Sequence, residues 1–99
     1  HEILYIESDE NYVDINLLKN GERRKEVIRS SLKNIEDQLV YAISPIYRCH
    51  RKFLINFKYF EVLDSSTRSM TIQLKGGGTI LPVSKQYVTQ INQLLINGH

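Results

Sequence analysis

The sequence predicts a mostly-β domain, and three observations carry that expectation. Apolar residues gather in many runs of about five, divided by polar breaks. Asn20-Gly21, a strong hairpin signal, stands between two such runs. Only two short stretches show helical spacing. At 99 residues the chain has room for one small domain with a modest core.

Ile3 to Ile6 reads as a buried strand, rich in β-branched and aromatic residues. Glu7 to Asn11 is the polar break after it. Tyr12, Val13, Ile15 and Leu17 form a second strand, with Asp14 and Asn16 on the alternate face. Asn20 and Gly21 tolerate the positive φ of a type I′ turn, which predicts a return strand from Glu22 to about Ile28. That strand is heavily charged and suits a sheet edge, where lysines and arginines discourage further pairing. Ser30 or Ser31 caps a short helix in which Leu32, Ile35 and Leu39 recur at helical spacing, with Lys33, Glu36 and Asp37 outside.

Ser44-Pro45 ends that region, because proline biases its predecessor away from helix. Tyr47 to Cys49 and Phe53 to Ile55 are strand-like pieces bracketing His50-Arg51-Lys52. Phe60 to Leu63 and Met70 to Leu74 form a hairpin across the polar Asp64 to Ser69, and Lys75 to Gly78 turns the chain into Thr79 to Val83. Ser84 caps the clearest helix, with Tyr87, Val88, Ile91, Leu94 and Leu95 as one apolar stripe.

With 41% apolar and 24% charged residues, the composition is that of an ordinary soluble domain. No apolar run approaches the roughly 18 residues of a membrane span, and no signal peptide is visible. The chain opens inside a strand-like run, as expected of a piece from a longer protein, with His1 and Gly98-His99 as cloning remnants. Cys49 is the single cysteine, so no intramolecular disulfide forms and a cytoplasmic origin is the default. Three histidines and one cysteine lack zinc-type spacing, so no metal or other cofactor is expected.

Net charge is only +2, but its distribution is uneven. Residues 1–37 hold nine acidic and six basic side chains; residues 38–99 hold two acidic and seven basic. Between Pro45 and Phe60, Arg48, Arg51, Lys52, Lys58 and His50 interleave with Tyr47, Phe53, Phe57, Tyr59 and Phe60, and no acid intervenes. That mixture suits a loop held on apolar anchors while its cations face a polyanion, nucleic acid first among them.

Three polar spots punctuate the strands: Glu7 to Tyr12, His50 to Lys52, and Ser84-Lys85. His50 either contacts a base or closes its loop through a ring-to-backbone bond. Arg51 can fork onto guanine or a phosphate. Asn56 reads as a turn or cap residue. Lys85, at a helix start, suits a phosphate, with Ser84 as the cap. Gly76-Gly77-Gly78 lacks the following lysine and Ser/Thr of a phosphate loop. Glu7, Asp9, Glu10 and Asp14 have no matched nucleophile or histidine nearby, so no enzyme and no small-molecule substrate is expected.

The chain resembles the LytTR family of bacterial DNA-binding domains in three blocks. They are Ile3 to Val13; Tyr47-Arg48-Cys49-His50-Arg51-Lys52-Phe53-Leu54-Ile55-Asn56; and Leu81-Pro82-Val83-Ser84-Lys85 through Tyr87. Their order and separations match, as does the short helix Leu32 to Leu39. Lys52 replaces the usual serine, and Lys85 stands where arginine is frequent; lysine cannot fork bidentately. The resemblance implies an elongated, mostly-β fold of several small sheets with two short helices, not a helix-turn-helix. Residues 1–99 would be one such domain, excised from behind a receiver or other regulatory domain of a response regulator in a two-component system.

Function follows as an expectation: sequence-specific binding of double-stranded DNA by a transcriptional regulator, loops in the major groove, on paired sites and as a homodimer. Asn11, Tyr12, Arg51 and Lys85 would reach base edges, while Arg48, His50, Lys52, Lys58, Lys75 and Ser84 would meet phosphates. The rivals are a protein-interaction module using a sheet edge, and RNA binding with Tyr12, Tyr47 and Phe53 as stacking platforms.

Overall fold

The computed structural model describes residues 2–39, 44–66 and 69–96. His1, Gly98, His99 and part of the expected Asp64 to Ser69 loop lie outside the described residues. The strands β1 (Glu2–Asp9), β2 (Tyr12–Lys19) and β3 (Glu22–Arg29) lead to α1 (Leu32–Leu39). Then come β4 (Ile46–His50), β5 (Phe53–Asn56), β6 (Phe60–Ser65), β7 (Met70–Leu74), β8 (Ile80–Val83) and α2 (Val88–Ile96). Single 3₁₀ turns, Phe57–Tyr59 and Lys85–Tyr87, precede β6 and α2.

The expected several sheets resolve into two among the described residues, β3-β2-β1-β5-β4 and β6-β7-β8, with antiparallel pairing throughout. Extents of 35 × 27 × 25 Å make the elongation slight. Asn20 (φ 55) and Gly21 (φ 78) both take left-handed backbone, as the type I′ turn requires. The return strand β3 is the predicted charged edge, exposed along its whole length.

The larger sheet is covered on both faces. Against one, Leu32 of α1 packs on Ile6, Val13 and Leu54, with Ile35 and Leu39 beside them. Ser31 is the cap: its Oγ accepts the Asn34 N–H at 3.0 Å. Against the other face, Tyr5, Phe53 and Ile55 meet Phe60, Ile72, Leu81 and Ile91, and the α2 stripe closes over them.

Two-sided burial explains where simple alternation fails. β1 runs to Asp9, so the polar break shrinks to Glu10-Asn11. Asn16, expected outside, lies opposite Tyr5 and is 8% exposed, because both faces of β2 here are interior. Its Nδ2 donates to the Asp14 carbonyl at 3.4 Å. Ser84 makes no side-chain cap; its carbonyl accepts the Tyr87 N–H at 2.8 Å, and α2 begins only at Val88. Asn56, expected to turn or cap the chain, is the cap of the Phe57–Tyr59 turn and also reaches β1. Its Oδ1 accepts the Lys58 N–H at 3.0 Å, and its Nδ2 donates to the Ile3 carbonyl at 2.8 Å.

A candidate nucleic-acid interface at one end of the sheets

Three backbone hydrogen bonds gather the three polar spots at one end of the molecule. Ser30 N–H donates to the Asn11 carbonyl (3.1 Å), Ser8 N–H to the Lys52 carbonyl (2.8 Å) and Ser84 N–H to the Cys49 carbonyl (2.9 Å). The first ties β3 to the β1–β2 turn, the second ties that hairpin to the β4–β5 turn, and the third ties β8 to β4. Following the strand order β3-β2-β1-β5-β4, the row runs from Arg29 through Asn11 and Tyr12 to Arg51 and Lys52, with Ser84 and Lys85 beyond β4. Four strand spacings of about 4.8 Å give roughly 19 Å, the length of about five to six base pairs.

Asn11, Tyr12, Arg51, Lys52 and Lys85 are all exposed there, Tyr12 at 45%. Among the described residues, Arg29, Arg51, Lys52 and Lys85 form no ion pair. Asp9 and Glu10 are exposed beside them, so the Asn11 turn is the acidic part of an otherwise cationic end. Glu10 sits at φ 56, a left-handed conformation costing a side-chain-bearing residue about 1–2 kcal/mol. Such strain clusters where a loop shape serves a ligand.

His50 closes its loop: Nδ1 accepts the Lys52 N–H at 3.1 Å, which assigns the ring proton to Nε2. Its ring leans on Phe53 at 5.6 Å between centroids. Desolvation, then the charges of Arg51 and Lys52, lower its pKa and favour the neutral ring. The register slips between Arg48 and His50, so the strand bulges at Cys49 and turns that side chain into the core. Burial pushes the Cys49 thiol up to about 12, leaving it unreactive.

Three expected phosphate contacts are placed elsewhere. Arg48 is not a free cation: Nη2 and Nε donate to Glu36 Oε1 at 2.8 and 3.2 Å, and Nη1 donates to the Arg51 carbonyl at 2.8 Å. Glu36, expected outside its helix, is therefore half-buried. Lys58 and Lys75 lie together across the molecule, beside Phe57, Phe60, Leu94 and Leu95. Lys75 N–H donates to the Tyr59 carbonyl at 2.7 Å, at the Leu74 end of β7, whereas Ser84 follows Val83, opposite Met70. The five residues of β7 put roughly 13 Å of strand between those ends.

Arg29 is the residue the sequence reading missed. Its position was available: a two-residue turn pairs Lys19 with Glu22, and counting outward pairs Tyr12 with Arg29. Among the described residues no cluster of His, Cys, Asp and Glu suits a metal, and no helix is long and apolar enough to cross a membrane.

A family model described as the LytTr DNA-binding domain matches residues 1–96. Among solved structures, a LytTr DNA-binding domain from Bacillus cereus is similar, with a TM-score of 0.73 at 21% identity, covering 95% of this chain and 81% of that one. At that identity the likeness speaks for the fold. No curated protein matches the chain.

Proposed function

Since the chain belongs to the LytTR family of DNA-binding domains, we propose that it reads a specific duplex sequence with the end carrying Asn11, Arg51 and Lys85. The observation that supports this most is the set of three backbone bonds fixing those turns as one row. In this reading the turns enter the major groove. Asn11 pairs with adenine, Arg51 forks onto guanine, and Tyr12 and Lys85 touch neighbouring base edges. Lys52, His50 through Nε2–H, Ser84 and the added Arg29 meet phosphates and set the register.

Each neutralised phosphate adds about −0.9 to the slope of log affinity against log salt. The domain acts without catalysis as the output part of a bacterial transcriptional regulator, in the cytoplasm, behind a receiver or other regulatory domain. Two copies occupy paired sites. The RNA reading loses support because Phe53 is buried and Tyr47 packs edge-on against Phe57, which leaves Tyr12 alone of its three platforms exposed.

Selection from random duplex DNA, followed by sequencing, tests the proposal. A recurrent motif spanning about five to six base pairs per copy is expected. Enrichment without a motif, or preference for single-stranded RNA in competition, counts against it.

A further inference from the structure

Arg48 and Arg51 are three residues apart, yet only Arg51 projects outward. The Arg48 guanidinium offers five donors in a fixed fork. Two, Nε–H and Nη2–H, converge on Glu36 Oε1, and a third, from Nη1, reaches the Arg51 carbonyl at 2.8 Å. The side chain is 13% exposed, and Glu36 is 33% exposed. Glu36 belongs to α1, which Leu32 anchors in the core. One arginine thus connects a packed helix to the backbone of the turn that carries Arg51 and Lys52. The same turn is fixed from two other sides, by His50 Nδ1 on the Lys52 N–H and by the Ser8 N–H on the Lys52 carbonyl.

We propose that Arg48, braced by Glu36, is a positioning residue for duplex readout. It holds the Arg51 carbonyl so that the Arg51 side chain meets the base edge at a fixed angle, and it touches no DNA itself. This rests on the readout proposed above. Bidentate contacts demand such preorganisation, since a fork that swings loses its geometric match before it loses its charge. Lysine cannot replace it: a point charge can keep Glu36 but cannot span Glu36 and the Arg51 carbonyl together.

The test compares the protein with its Arg48→Lys, Arg48→Met and Glu36→Gln variants. Binding is measured across salt concentrations on the duplex enriched by selection and on random duplex of equal length. Melting curves report folding, and amide exchange is followed at residues 50–52. The expected result is a roughly tenfold loss of the specific-to-random ratio in Arg48→Lys, about the worth of one good base contact. Glu36→Gln should lose less, the salt slope should stay unchanged, and the Lys52 amide should exchange faster. In an Arg51→Ala background the Arg48 changes should add almost nothing to the loss.

A slope reduced by about 0.9 in Arg48→Met would make Arg48 a phosphate contact and overturn the proposal. An unchanged ratio in all three variants would overturn it too, with the function intact. A wild-type protein lacking any preference would instead overturn the function, and the clamp with it.

Discussion

At one end of the molecule the turns at Glu10-Asn11, Arg51-Lys52 and Ser84-Lys85 are bonded to neighbouring elements through the Asn11, Lys52 and Cys49 carbonyls. At the other end Asn20-Gly21 and Lys75 to Gly78 reverse the chain locally, using left-handed backbone at Asn20, Gly21, Gly76, Gly77 and Gly78. Both ends carry exposed cations, Arg29, Arg51, Lys52 and Lys85 at the first, Lys58 and Lys75 at the second. Charge alone does not distinguish them. Lys58 and Lys75 are held as well, through the Asn56 side chain and the Tyr59 carbonyl, but the first end aligns three turns in one row, and such preorganisation is what converts attraction to phosphate into discrimination between bases.

The sharpest way to break this contrast is to remove one charge from each end. Arg51→Ala should cost about 1–3 kcal/mol of discrimination between the selected and random duplex. Lys58→Ala and Lys75→Ala should leave that ratio unchanged; titrations on both duplexes read the difference. A comparable loss from Lys58→Ala would mean that both ends engage DNA.

Backbone substitutions give a smaller, stability-based contrast. Gly77 holds φ 91, so Gly77→Ala should destabilise the fold by about 1 kcal/mol in urea unfolding while DNA affinity holds. Glu10 holds φ 56 at the opposite end, and Glu10→Gly should stabilise by up to about 1 kcal/mol. Looser duplex discrimination should accompany that gain.

The smallest effect is expected from pH. Partial burial, then Arg51 and Lys52, lower the His50 pKa below its ordinary 6.5 in the folded chain. The unfolded chain therefore takes up the proton first as the solution is acidified. Stability from this group is complete above pH 6.5 and declines as pH falls through the lowered folded value. Protonation also removes the Nδ1 acceptor for the Lys52 N–H. Unfolding curves of the protein and His50→Gln should converge toward acid pH; a constant gap would remove His50 from the loop's closure.

Local signals were legible in the sequence wherever neighbours in the chain decide the outcome. Asn20-Gly21 set the hairpin, the spacing of Leu32, Ile35 and Leu39 set α1, and the three blocks pointed to the family that the chain belongs to. Placement across the molecule was not legible. Whether Lys58 shares an end with Arg51 depends on which way β5 leaves the sheet, and whether Arg48 is free depends on Glu36, twelve positions back. Asn16 was misplaced for a related reason: period-two patterning assumes one wet face, and this sheet has none at its centre. Ser84 does stand at an N-cap position, but of the 3₁₀ turn before α2, and its side chain makes no capping bond.

The seating of β5 between β1 and β4 bears on how the domain comes into being. β1 acquires its second neighbour only when Ile55 meets Tyr5 and Asn56 reaches Ile3, a separation of 53 residues. Until Asn56 has emerged, a nascent chain therefore keeps the β1 edge unpaired and lacks Leu54 beside Ile6, Val13 and Leu32. Such a pairing requires a long loop closure, and truncations before β5 are expected to expose that edge and aggregate.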